Sequence, residues 1–227
     1  MKVSSGIEVI DDLLKGGFET EVINTIYGPS ATGKTNISML FALKIAKTKR
    51  VIYIDTEGNS NQTRLLQLTK DKSLLDNILI LKPTNFTEQK EIFNKLKDLA
   101  TEKIGLIIVD TISMLYRVSF SSKKDMYEIN KQLGKQLSYL LEIARKKKIP
   151  CLVIAQVYND FEEKGKMIIV GGEIIKYSSK VMIELIDNNN GSRTAHLRKH
   201  PHLPPRKTVF KIVQKGIEKI RKGFLLN

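Results

Sequence analysis

The sequence predicts an α/β fold with a mainly parallel sheet flanked by helices and antiparallel strands towards its C-terminus. Three observations carry this. Apolar runs alternate with segments of helical periodicity through the first two-thirds of the chain. The runs at 51–55, 105–110 and 152–157 are almost continuously apolar, as in strands covered on both faces. The last third places strand-like runs at 181–185, 194–198 and 208–213, joined by turn-rich segments without helices, which predicts antiparallel edges.

A short β-rich run at 22–27 is followed by Gly28, Pro29, Ser30, Ala31, Thr32, Gly33, Lys34 and Thr35, and then by a largely buried helix at 36–46. The octet fits G-x-x-x-x-G-K-[ST], the P-loop spacing. Glycines let backbone N–H groups converge on anionic oxygens, Lys34 supplies a point charge for the terminal phosphates, and Thr35 offers a hydroxyl to Mg²⁺. Strand, loop and helix follow in the order the motif requires, so the dipole of the helix also faces the phosphates. A bound nucleoside triphosphate with Mg²⁺ is therefore predicted.

After the strand at 51–55, Ile92, Phe93, Leu96 and Leu99 share one face of a helix that Thr87 and Glu88 are suited to open. The strand at 105–110 follows. Met126, Ile129, Leu133, Leu137, Leu140, Leu141 and Ala144 then repeat the pattern in a longer helix ending in Arg145, Lys146, Lys147 and Lys148 before Pro150. Those four cations suit a helix C-terminus better than a nucleic-acid contact.

In an open parallel sheet the ligand lies beyond the carboxyl ends of the strands. Asp110 ends one apolar run and matches a Walker B carboxylate that holds the water shell of Mg²⁺. Glu57 follows another and is placed to orient or deprotonate the water attacking a γ-phosphate, the alternative being a solvated loop acid. Gln156 at the end of the third run either contacts the γ-phosphate and passes the signal to the loop that follows, or is an ordinary hydrogen-bonded strand end. His196, His200 and His202 lack the spacing of a metal site.

The 227 residues carry a net charge of +14, which suits a polyanion such as nucleic acid but also follows from compositional bias or adaptation to heat. The asymmetry is greatest from 193 to 227, where Glu218 is the single acid. One cysteine, Cys151 in an apolar run, allows no disulfide framework. No stretch approaches the roughly 18 apolar residues of a membrane span, and the N-terminus lacks an apolar leader. A single domain over 1–227 in the cytoplasm, with no membrane partner, is expected.

Taken together these pieces resemble the RecA/RadA recombinase superfamily over nearly the whole chain. The segment from Ser5 to Gly17 is similar to that family's opening segment, Tyr53-Ile54-Asp55-Thr56-Glu57-Gly58 to the strand bearing its catalytic glutamate, and Ile154-Ala155-Gln156-Val157 to its nucleotide-sensing glutamine. The resemblance implies a RecA-like P-loop ATPase core with Lys34, Glu57 and Gln156 as catalytic groups. It also implies Arg64 against the adenine ring and Gly171 to Ile175 as the end of a second DNA-binding loop. The first such loop corresponds to 117–124, where Arg117, Lys123 and Lys124 would contact phosphates. The second, 158–170, contains Asp160, Glu162 and Glu163, which weaken contact with DNA.

The departures from the family are equally specific. The chain begins almost at the core, without the N-terminal helix-hairpin-helix domain, and no phenylalanine is followed by alanine three residues later, the RadA-type polymerisation motif. A monomer or small oligomer without long filaments is expected. Lys199 and Pro205 stand where RadA-type proteins place cation-binding acids, which implies slow hydrolysis and no response to potassium. The expected function is an ATP-binding, weakly hydrolysing, DNA-binding accessory protein of recombination and repair that assists a RadA-type recombinase. The alternatives are a KaiC-like signalling or scaffold ATPase with protein partners and, less well matched by Glu57 and Gln156, a small-molecule kinase.

Overall fold

The computed structural model describes residues 1–58, 62–118, 123–159 and 167–220. In chain order the elements are β1 (Lys2–Val3), α1 (Glu8–Leu14), β2 (Phe18–Glu19), β3 (Ile23–Gly28), α2 (Lys34–Ala46), β4 (Arg50–Asp55), α3 (Gln62–Leu68), a 3₁₀ helix (Lys72–Asn77), β5 (Ile78–Leu81), α4 (Phe86–Leu99) and β6 (Ile104–Asp110). They continue with α5 (Met114–Val118), α6 (Lys123–Lys147), β7 (Cys151–Asn159), β8 (Met167–Ile169), α7 (Gly172–Ser178), β9 (Ser179–Asp187), β10 (Ser192–Lys199), β11 (Arg206–Val213) and β12 (Gly216–Lys219).

The main sheet runs in the order β12-β11-β10-β9-β3-β7-β6-β4-β5, and β8 pairs with β7. Its centre is parallel, from β9 through β3, β7, β6 and β4 to β5. The pairs β9–β10, β10–β11 and β11–β12 are antiparallel, as the turn-rich last third predicts. The β9 strand differs from the sequence expectation. It enters parallel to β3 because α7 lies between β8 and β9 and carries the chain back across the sheet, the route a parallel pairing requires.

Continuous apolar strands read as buried on both faces, and the core divides accordingly. Val51, Tyr53, Ile108, Ile154 and Ile183 pack with Ile37, Met39 and Phe41 of α2 and with Ile10 and Leu14 of α1. Ile52, Ile54, Ile107, Val109 and Val153 pack on the opposite side with Phe93 and Leu96 of α4 and with Leu133, Leu137 and Leu140 of α6. Each such side chain fully removed from water contributes about 1.5–3 kcal/mol before conformational entropy is counted. Phe18 stacks on Phe41 with ring centroids 4.9 Å apart, closing the N-terminal segment onto α2.

The start of α4 lies two residues earlier than Thr87 and Glu88 suggest. Asn85 is the cap: its Oδ1 accepts from the Glu88 amide at 2.9 Å, while the Glu88 carboxylate reaches back to the Thr84 amide at 2.8 Å. This reciprocal pair satisfies amides that the helix itself leaves open. Residues 160–163, including Asp160, Glu162 and Glu163, lie outside the described residues. The base of the expected 158–170 loop is a ribbon in which Tyr158 faces Ile168 and Val157 faces Ile169.

Candidate nucleotide site

Four elements that converge from distant parts of the chain build a cavity of about 370 Å³ at the carboxyl ends of β3, β4, β6 and β7. Ser30, Ala31, Gly33, Lys34 and Thr35 form its floor, with Glu57, Asp110 and Gln156 on its walls. The loop after β3 is possible because Gly28 and Gly33 hold φ of 154° and 99°. A Cβ at Gly28 would lie 2.4 Å from the Leu185 carbonyl oxygen, and one at Gly33 2.8 Å from Ile212 Cδ1. Both positions therefore favour glycine for conformation, and Gly28 needs it for space as well, because its neighbour is backbone.

Lys34 opens α2 and is buried. Its ammonium donates to the carbonyls of Gly28 at 2.9 Å and Pro29 at 2.6 Å. Burial lowers its pKa, while the charges of Glu57 and Asp110 oppose that shift. The lysine is thus a poorly solvated cation at the P-loop wall of the cavity.

Asp110 is 3% exposed. Its Oδ2 accepts from the Tyr53 hydroxyl at 2.6 Å and from Ser38 Oγ at 3.2 Å, and Ser38 and Tyr53 lie 2.8 Å from each other. The other oxygen, Oδ1, is buried and has no hydrogen-bond partner among the described residues. Burial raises the carboxyl pKa to about 6, against the Tyr53 and Thr35 hydroxyls, which lower it; the nearby Glu57 and Asp55 charges raise it further. A divalent cation next to Thr35 would satisfy this bare oxygen and restore the anion, so the residues fit Mg²⁺.

Glu57 and Gln156 lie 99 positions apart in sequence and meet across the cavity, Gln156 Nε2 donating to Glu57 Oε1 at 2.5 Å. Ser113 holds the Gln156 amide at 3.1 Å, and the Val170 amide donates to the Gln156 carbonyl at 2.9 Å. Thr56 Oγ1 donates to the Thr111 carbonyl and accepts from the Thr111 amide, at 2.7 and 3.0 Å. That exchange locks the segments carrying Glu57 and Asp110 together.

The remaining expected site residues fall as follows. Arg64 is outside the cavity lining. Its guanidinium bonds Asn36 Oδ1 at 2.8 and 3.1 Å and the Gln214 carbonyl at 3.3 Å, tying α3 to α2 and to the turn between β11 and β12. Asn36 itself lines the cavity, so Arg64 stands one residue behind its wall. Arg117, expected at a DNA loop, lines the cavity next to Thr111. Lys123 and Lys124 begin α6, and their side chains lie outside the described ones, as do residues 119–122. Gly171, with φ of 88°, caps α7, whose first residues are the expected end of the second loop. Lys199 donates to the Lys176 carbonyl at 2.7 Å and does not line the cavity.

Tyr53, Ser38, Asn36 and Thr56 are not marked as functional by the linear pattern. The one signal at hand is spacing: Ser38 lies one helical turn beyond Thr35, and Tyr53 carries the single hydroxyl in an otherwise apolar strand core. Among the described residues no cluster of His, Cys, Asp and Glu could hold a structural metal, and no helix is long and apolar enough to cross a membrane.

Comparison with known proteins agrees with this geometry. The Rad51 family model matches residues 1–220. The chain is 38% identical over 221 residues to the DNA repair and recombination protein RadB of Methanococcus maripaludis, covering 95% of this chain and all of that protein. It is 37% identical to the RadB of Thermococcus gammatolerans, covering 96% and 99%. A solved structure described as a crystal structure of the RadB recombinase superposes with a TM-score of 0.82 at 32% identity, covering 96% of this chain and 99% of that one. A P-loop cavity at the carboxyl edge of a mixed sheet, together with these similarities along almost the entire length, makes the chain a member of the Rad51 family of RecA-like proteins and a homologue of archaeal RadB.

Proposed function

We propose that this protein binds ATP with Mg²⁺ in the P-loop cavity and uses its occupancy to control contact with DNA, as an accessory of recombination and repair that assists a RadA-type recombinase. The observation that carries this reading is the Glu57–Gln156 hydrogen bond of 2.5 Å across the cavity. It connects the carboxylate suited to orient the attacking water with the amide suited to feel a γ-phosphate. Gln156 lies on the same strand that runs on into the ribbon with β8.

In this mechanism backbone amides of the loop after β3 and the Lys34 ammonium hold the phosphates. Thr35 and Asp110 would hold Mg²⁺, whose role is to neutralise charge on the β- and γ-phosphates. Gln156 leaves Glu57 for a γ-phosphate oxygen, freeing the carboxylate to orient water, and the strand end moves with it. Arg117 faces the same cavity from α5, immediately before residues 119–122, and is the second link between the phosphates and a DNA-contacting segment. Hydrolysis is slow, so ATP acts mainly as a conformational ligand.

The test is DNA affinity at several salt concentrations with ADP, ATP and a non-hydrolysable analogue, for wild type and Lys34→Ala. Nucleotide-dependent DNA binding that Lys34→Ala abolishes is the expected result. Absence of any DNA binding by the wild type at low salt would instead favour a scaffold ATPase with protein partners.

A further inference from the structure

At the other end of the sheet, four cations from two segments, 47–50 and 103, surround an open cavity of about 300 Å³. Lys47, Lys49 and Arg50 lie along the short connection from α2 to β4, Arg50 being the first residue of that strand, and Lys103 leads into β6, with Asn77 at the end of the 3₁₀ helix completing the wall. The backbone holds this arrangement: the Arg50 amide donates to the Lys103 carbonyl at 2.9 Å, and Asn77 Nδ2 donates to the Ala46 carbonyl at 2.9 Å. All four cations are exposed. No carboxylate lines the cavity, and none of the four is in an ion pair among the described residues.

The nearest acid with a resolved influence is Glu102, whose pKa Lys49 helps to lower, but its carboxylate is taken by Lys147 at 2.6 Å. The dipole at the end of α2 accounts for Lys47 and not for the cations contributed by the starts of β4 and β6. Like charges gathered without a paired carboxylate repel one another and attract a polyanion.

We infer that this cavity is a second nucleic-acid contact, binding phosphodiester oxygens of the DNA backbone without reading sequence. Three of its four cations are lysines, point charges suited to phosphate, and no aromatic side chain is present on which a base could stack. It sits at the start of β6, while Asp110 of the nucleotide cavity sits at its end. Seven residues at about 3.3 Å each put the two roughly 20 Å apart. Contact here is therefore independent of nucleotide, whereas the segments after Asp110 and Gln156 depend on it. The inference rests on the DNA-binding reading above and locates a surface that reading leaves open.

The test uses the full chain with Lys47→Gln, Lys49→Gln, Arg50→Gln and Lys103→Gln combined, and separately the pair Lys49→Gln and Lys103→Gln. Double-stranded DNA of fixed length is titrated by fluorescence anisotropy across a salt series without nucleotide, and ATP affinity is measured in parallel as a control for folding. Each lost phosphate contact lowers the slope of log affinity against log salt by about 0.9. The pair should therefore reduce the slope by about 2 and the fourfold variant by more, with unchanged ATP affinity. Wild-type DNA binding with the same slope and affinity in the fourfold variant overturns the inference while leaving the functional reading intact. Absence of DNA binding by the wild type overturns both. Calorimetry with inorganic phosphate separates the sources: phosphate binding lost in the fourfold variant while DNA affinity is retained makes the cavity a free-anion site and also overturns it.

Discussion

Asp110 shows at the residue scale how one carboxylate can be divided between two tasks. Tyr53 and Ser38 occupy Oδ2, while Oδ1 is buried without a partner among the described residues and would be the atom to meet a cation. Tyr53→Phe is expected to weaken the Mg²⁺ dependence of nucleotide affinity several-fold while nucleotide binding without Mg²⁺ is retained; calorimetry at stepped Mg²⁺ concentrations reads this. A carboxyl held at about 6 rather than 3.8 is disfavoured as an anion in the fold. Its contribution is therefore unfavourable above about pH 6 and fades as pH falls towards the unfolded value. Asp110→Asn should accordingly stabilise the metal-free protein at pH 7.5, by at most on the order of 3 kcal/mol, and abolish the Mg²⁺ response. Chemical denaturation with and without nucleotide and Mg²⁺ decides both parts.

The local rules of helices and strands place the site residues at the element scale, and the same rules limit what the pattern can show. Helix α4 depends on the exchange between Asn85 and Glu88. Asn85→Ala is expected to cost about 1 kcal/mol in urea denaturation, without altering nucleotide affinity, because α4 packs on the sheet face away from α2. Thr87 and Glu88 are an adequate opening by composition, yet the cap falls at Asn85, whose Oδ1 accepts from the Glu88 amide three residues on while Glu88 bonds back to the Thr84 amide and the Asn85 side chain. The short strands β5, β8 and β12 have too few residues to show a period, and pairing with a neighbour defines them. Conversely β4, β6 and β7 are legible because burial on both faces writes a nearly continuous apolar run, and β3, which contains Asn24 and Thr25, is legible from its place before the P-loop.

The nucleotide cavity and the basic cavity occupy opposite ends of the sheet at the scale of the whole molecule, so charge and nucleotide can act on separate surfaces. Saturating ATP with Mg²⁺ should stabilise the fold by mass action. At a hundredfold excess over Kd the gain is about 2.7 kcal/mol, or a rise in Tm of roughly 5–10 °C for a chain of this size. Differential scanning fluorimetry should show that rise in the wild type and none in Lys34→Ala. Turnover measured in potassium and in sodium should be equal if Lys199, which is bonded to the Lys176 carbonyl, stands where the resemblance to RadA-type proteins implies a cation-binding acid. A large potassium stimulation would contradict this.

The linear order of residues by itself determined the parallel core, the P-loop, and the presence of Asp110 and Glu57 at or just after strand ends, since each of these depends on spacing along one segment; Gln156, expected at a strand end, lies inside β7, which continues to Asn159. Only the tertiary structure decided that Gln156 bonds Glu57 and that Tyr53 holds Asp110, pairs 99 and 57 positions apart. It alone decided that Arg117 faces the nucleotide cavity and that Arg64 stands behind Asn36. Hydrogen bonds and charge clusters form through space between side chains of different segments, and the register that brings those segments together is set by packing that no single segment contains.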